Sequence, residues 1–255
     1  PNVFIKVPAT KEGVEAIRRL IGQGISINVT LMFNRKHYHD VAMAYIDGLT
    51  QLASTGGDLS KVHSVASFFV SRVDTLIDKK LDEAIAAASS ADDKARLTAL
   101  KGKAGLANCK VVYQDFLEIF GKEPFTSLKA KGARVQRPLW ASTGTKNPAY
   151  SDLMYVENLI GADTVNTMPE KTLAALLDHG TCPGDTVLDG VDEARATLAA
   201  LKEAAIDIET VGEQLQEDGV VLFAKAYDEL LATIKERHEA VDNDAITKKI
   251  ATITS

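Results

Sequence analysis

Cysteine is nearly absent: Cys109 and Cys182 are the only two in 255 residues. They are too few for a disulfide framework and lack the spacing of metal ligands, which fits a reducing cytoplasm. Positive charge is sparse as well. The net charge is −6 with no block of Lys and Arg, so nucleic acid is not an expected partner, because neutralising phosphates takes clustered cations. No apolar run approaches the roughly 20 residues of a membrane span, and there is no signal peptide, so neither a membrane partner nor secretion is expected. The chain has no P-loop, dinucleotide fingerprint or HExxH, which leaves nucleotide hydrolysis, hydride transfer and zinc peptidase chemistry without motif support. His37 and His39 fall inside a helical pattern, where positions two apart face different ways, so no metal is expected there. His63 and Ser64 are neighbours on a strand and point to opposite faces, which disqualifies them as a nucleophile pair.

What is present describes one soluble globular domain over residues 1–255, with 45% apolar and 25% charged content. Strands and helices alternate. Apolar runs predict strands at 2–8, 25–32, 62–70, 134–142 and 163–168, with alternation of period two in 25–32. Helices are predicted at 11–20, 36–53, through 79–120 with stops at Ser89-Ser90 and near Gly102, and at about 126–131, 152–160 and 170–178. A C-terminal helical extension at about 191–255 carries further helices at 191–205, 210–217 and 220–241. Such alternation means a parallel sheet, either open and doubly wound or closed into a barrel. Five strands do not close an eight-fold barrel, which ordinarily takes roughly 250 residues. The chain also opens at Pro1 and enters an apolar strand by residue 3. That start reads as cut from something longer, since domain termini usually lie at the surface.

In the first strand, Val3-Phe4-Ile5-Lys6-Val7-Pro8, one cation interrupts an apolar run. Burial favours the neutral amine, and a lysine held neutral is the nucleophile that imine chemistry needs. The alternative is an edge-strand lysine whose ammonium reaches water. In either parallel architecture the site lies at the carboxyl ends of the strands. That rim collects Lys6, Asn28 and Thr30 from the polar face of ISINVTLM, Ser67, Arg72 in the loop 71–74, and the polar loop 142–146. An amine, an amide, hydroxyls and a guanidinium suit a carbonyl substrate bearing hydroxyls and a phosphate. Asn28 and Thr30 also fit a solvated strand face, and Arg72 alone fits a surface ion pair.

At these residues the chain resembles the transaldolases. IKVPAT, GISINVTLMF and SVASFFVSRVD occur in order and match the family's lysine, asparagine-threonine and phosphate-binding segments, while RPLWASTGTKNPAYSD and ADTVNTMPEKTL resemble its longer bacterial forms. The resemblance implies a TIM (βα)8 barrel of the class I aldolase type, no metal or other cofactor, sugar-phosphate substrates and a place in the pentose phosphate pathway. It also implies roles: Lys6 forms the Schiff base, Thr30 orients a proton-shuttling water, Asn28 holds a hydroxyl of the three-carbon unit, Ser67 and Arg72 bind phosphate, and Phe69 walls out water. Ser142 and Lys146 are further phosphate candidates. The family's acid/base residues on earlier strands have no counterpart here, so the expectation is that only the fourth to eighth strands are represented. A lysine on an open sheet edge would then call for a missing N-terminal segment or a second copy of the chain. A fructose 6-phosphate aldolase, and a catalytically inactive fragment or assembly subunit, are the alternatives.

Overall fold

The computed structural model describes residues 2–239. Its centre is a five-stranded sheet in the order β1-β2-β3-β4-β5, every pairing parallel. The strands are β1 (Ile5–Pro8), β2 (Ile27–Met32), β3 (Ser64–Phe69), β4 (Gln136–Ala141) and β5 (Val165–Asn166). Helices return the chain between them: α1 (Lys11–Gly22) after β1 and α2 (Arg35–Ser54) after β2. After β3 come α3 (Ser71–Ala87), α4 (Ala91–Thr98), α5 (Ala104–Phe120) and the short α6 (Phe125–Lys129). α7 (Met154–Glu157) follows β4, and α8 (Glu170–His179), α9 (Val191–Glu203) and α10 (Ile208–Glu239) follow β5. Compact packing divides the chain at Gln216, with a second unit running from Glu217.

Local chemistry explains most boundaries. Thr10, Asn34 and Ser90 start α1, α2 and α4 by accepting a backbone N–H three residues on, the bond that satisfies an otherwise orphaned donor. Ile27 and Val29 turn to the helices with Ile17, Ile21, Val41, Tyr45, Ala66, Phe68 and Trp140, forming the main core. Trp140 anchors it: the ring is fully buried, meets Phe68 edge-on at 6.4 Å, and donates Nε1–H to the Leu159 carbonyl at 2.9 Å.

Of the two readings of the first strand, the edge strand is the one observed: Lys6 is exposed, as are Val3, Phe4 and Ile5 at 64%, 43% and 46%, because β1 has a neighbour on one side only, while Val7 packs into the main core. Three expectations need correction. Arg72 does not sit in a loop, because α3 begins at Ser71, directly after β3. The alternation expected along β2 fails at its end. Leu31 adopts φ 59° and the register against β3 shifts between Val29 and Met32, so Met32 joins the main core while Leu31 packs with Val73, Ile77, Ile208 and Val211. Finally, the helices expected at 210–217 and 220–241 are one helix through Gly219 as far as Glu239; a mid-helix glycine costs only about 1 kcal/mol. Residues 240 and 241 of that expectation, and the rest of the extension to 255, lie outside the described residues.

Candidate active site

Parallel register sets the site. Lys6 pairs with Asn28, Asn28 with Val65 and Val65 with Arg137, while Pro8 pairs with Thr30. Paired positions share a face, and so do positions two apart on one strand. Lys6, Asn28, Thr30, Ser67 and Phe69 therefore project from the same side of the sheet, opposite the helix-covered core. Two of them touch: Ser67 donates its hydroxyl to Asn28 Oδ1 at 2.7 Å. With that oxygen occupied, the Asn28 amide presents N–H donors to whatever lies over the sheet.

Thr30 is 4% exposed, and its hydroxyl has no hydrogen-bond partner among the described residues. A buried orphan hydroxyl costs roughly 1–3 kcal/mol, and such groups concentrate where a ligand or solvent molecule completes the bonding. Next to it the chain stores strain, since Leu31 holds a left-handed conformation that a branched side chain disfavours by about 1–3 kcal/mol.

Above β3 the exit is aromatic and cationic. The Arg72 guanidinium lies 5.1 Å from the Phe69 ring centroid, and Phe69 packs on Phe33 with centroids 5.2 Å apart. At that distance cation–π attraction holds the guanidinium over the ring. Being in the first turn of α3 adds the partial positive charge of a helix N-terminus. Ser142 joins this corner through Ser71: their hydroxyl oxygens are 3.0 Å apart, and the Ser71 N–H donates to the Ser142 carbonyl at 3.2 Å. Lys146 lines a groove of about 590 Å³ that runs along α3 from Ser71 and also holds the acidic side chains of Asp74, Asp78, Asp82 and Glu83.

Several residues at the strand ends escaped the sequence reading. Arg137 shares the row of Lys6 and Asn28, but its guanidinium is spent on the carbonyls of Asp163 and Thr164 at 3.2 and 2.8 Å. Thr143, fully buried, donates to Asn166 Oδ1 at 2.8 Å and ties the exit of β4 to β5; its only signal was membership of the polar loop. Gln216 on α10 donates to the carbonyls of Ala9 and Leu31, both at 3.0 Å. No local pattern points to a partner 207 residues away.

Comparison with known proteins agrees with this geometry. A family model described as Transaldolase/Fructose-6-phosphate aldolase matches residues 1–234. A protein named Transaldolase 1 from Streptomyces avermitilis is 50% identical over 92% of this chain and 60% of its own length. Proteins named Transaldolase from Mycolicibacterium smegmatis and Mycobacterium tuberculosis are each 49% identical over 91% of this chain and 60% of theirs. The chain thus spans about 60% of the length of the curated relatives it matches. With the lysine, asparagine, threonine and serine set out on one face of a parallel sheet, and the family model running from β1 into α10, the chain belongs to the transaldolase/fructose-6-phosphate aldolase family.

Proposed function

We propose that the protein of which this chain is part or whole is a transaldolase, moving a dihydroxyacetone unit from sedoheptulose 7-phosphate to glyceraldehyde 3-phosphate to give erythrose 4-phosphate and fructose 6-phosphate. The observation that carries the reading is the Lys6–Asn28 pairing on the face that also bears the Ser67–Asn28 bond and the buried Thr30 hydroxyl. Lys6 attacks the donor ketone and loses water to form an iminium. The bond beyond the former carbonyl carbon then breaks, its electron pair moves into the iminium, and an aldose phosphate leaves. The enamine on Lys6 attacks the acceptor aldehyde, and hydrolysis frees the new ketose. Asn28 hydrogen-bonds a hydroxyl of the three-carbon unit, and Thr30 holds the water that carries protons. The Phe69-backed Arg72, with Ser67 and Ser142 near it, receives the phosphate.

For the architecture, we read the five strands as the fourth to eighth staves of a (βα)8 barrel. Their order runs 1 to 5 without the reversal that marks an open doubly wound sheet. The exposed apolar side chains of Ile5 on β1 and of Val3 and Phe4 just before it support further strands pairing there, from another segment or a second copy of the chain. No helix of the described residues is long and apolar enough to cross a membrane.

Borohydride reduction with fructose 6-phosphate, followed by peptide mass spectrometry, tests the chemistry. A three-carbon adduct on Lys6 after reduction, together with acceptor-dependent transfer by the unreduced protein, is the expected result. An adduct with release of free dihydroxyacetone by the unreduced protein and no acceptor-dependent transfer identifies the aldolase instead, and no adduct on Lys6 removes both enzymes.

A further inference from the structure

The carboxyl ends of β1 and β2 are not held by the sheet alone. The ladder closes with the Ala9 N–H donating to the Thr30 carbonyl at 2.8 Å. Beyond that bond the register against β3 shifts and Leu31 turns left-handed, so its carbonyl leaves the ladder. The Ala9 carbonyl points past the last pairing. Two acceptors on neighbouring strands thus face the same space, and a buried carbonyl must find a donor.

α10 supplies it. Gln216 is 9% exposed, and its single amide nitrogen donates to both carbonyls at 3.0 Å, spending its two protons on two strands. The helix is brought to this position by its first two turns, which dock on the β2 exit. Asn34 Nδ2 donates to the Glu209 carbonyl at 3.0 Å, and His37 Nε2 stands 3.3 Å from Glu213 Oε1. Gly212 lies so close that a Cβ there would be 2.7 Å from that of Asn34. Residues 209, 212 or 213, and 216 form one helix face, so the approach that seats Gly212 also aims Gln216.

We propose that Gln216 is a positioning residue. Its amide clamps the exits of β1 and β2 together, keeps Leu31 in its left-handed turn, and thereby fixes the Thr30 hydroxyl against the strand that carries Lys6. The catalytic part of this inference rests on the transaldolase reading above; the clamp itself rests on geometry alone. Losing it frees the Leu31 peptide to relax, which moves Thr30, one residue earlier, more than Lys6, three residues before Ala9. Proton transfer should suffer while imine formation survives.

The test uses the full-length protein with Gln216→Met, which keeps length and loses both donors, and Gln216→Glu, which sets a carboxylate against two carbonyls. Hydrogen exchange is read first. The Ala9 amide and those of residues 31–33 should exchange at least tenfold faster in both variants, while the β3 and β4 amides stay within about twofold. Kinetics are read second. Gln216→Met should lower kcat about tenfold with KM for the sugar phosphate within twofold and with borohydride trapping on Lys6 retained. In a Thr30→Ala background the same change should have little further effect, because a residue acting through Thr30 cannot be additive with its loss. Unchanged exchange at Ala9 and residues 31–33 overturns the clamp, and so does a collapse of protection across the whole sheet. Altered exchange with kcat unmoved, or with losses that add, overturns the positioning role. If the unmodified protein forms no adduct on Lys6, the transaldolase reading and the positioning role fall together, and exchange still decides the clamp.

Discussion

Asp74 gives the clearest quantitative consequence of the fold. It lies in the first turn of α3, two residues after Arg72, and is 2% exposed. Its Oδ1 accepts the Gly105 N–H at 2.8 Å and its Oδ2 the Tyr155 hydroxyl at 2.6 Å, so the side chain joins α3, α5 and α7. Burial penalises the charged form more than these two bonds favour it, with the Asp78 charge adding to the penalty, and the carboxyl is raised from 3.8 to about 6. The sign follows. A folded-state value above the unfolded one means that the native state binds the proton more tightly, so this stabilisation is full below pH 3.8 and is lost as pH rises through about 6. A shift of about two units corresponds to about 3 kcal/mol, a sizeable share of the roughly 5–15 kcal/mol by which domains are stable. Asp74→Asn cannot ionise and still offers Gly105 an oxygen acceptor. Any fixed cost of the replacement is the same at every pH, so it cancels when slopes are compared. Urea unfolding of both proteins at intervals from pH 3 to pH 7.5 should show the variant gaining about 3 kcal/mol on the original across that range. Parallel pH profiles, agreeing within about 1 kcal/mol after the constant offset is removed, would refute the account of Asp74 as a buried carboxyl whose ionisation strains the α3–α5–α7 junction.

Other perturbations address the site and its support. Ser67→Ala removes the donor to Asn28 Oδ1 and should cost about 1 kcal/mol of stability and roughly tenfold in kcat/KM, about 1.4 kcal/mol; an unchanged kcat/KM would show that the amide is oriented by something else. If Arg72 receives the phosphate as proposed, Arg72→Lys, which keeps the charge but loses the planar bidentate group over Phe69, should raise the sugar-phosphate KM about tenfold or more with kcat within a few-fold; steady-state kinetics with KM unmoved would refute that role for Arg72. Gly212→Ala places a Cβ 2.6 to 2.8 Å from Asn34 side-chain atoms. The roughly 1–3 kcal/mol of overpacking should exceed the helix propensity gained, about 1 kcal/mol, so thermal unfolding that shows stabilisation would mean that the α10–β2 contact is looser than described.

The legible part of the molecule was the part governed by period two and by alternation. Parallel strands at 27–32 and 64–69 follow from ISINVTLM and SVASFFV, and once they are parallel, the polar positions of one must face the polar positions of the next. Asn28 and Ser67 therefore meet without any special local signal. Lys6 lies on the strand and face that its pattern indicates, whereas a buried and an edge lysine are not distinguishable in the sequence, because apolar composition does not say whether a strand has one neighbour or two. α3 was started late because no capping side chain precedes it: Val70 stands at the N-cap and the strand runs straight into the helix. The bond between Thr143 and Asn166 is hidden in the sequence because it spans 23 residues and joins a loop hydroxyl to a side chain of a two-residue strand.

The bulge in β2 explains why distant residues matter to a site built from strand ends. A regular parallel ladder satisfies its own carbonyls and would need no helix over its exit. Shifting the register between Val29 and Met32 sends Met32 into the main core, turns Leu31 toward Val73 and Val211, and leaves Thr30 as the last residue whose carbonyl still bonds across to β1. The same irregularity thus ends the strand at the buried hydroxyl, creates an acceptor that the sheet cannot serve, and opens an apolar seat for the start of α10. Each of these would have to change if the ladder were regularised. Removing the strain at Leu31 would therefore not by itself produce a more stable protein, since the Gln216 donors and the packing of Ile208 and Val211 depend on the strained turn. A local conformational cost of about 1–3 kcal/mol is held in place by two hydrogen bonds and an apolar cluster, which is the arrangement expected where a backbone is kept out of its preferred basin to place one side chain.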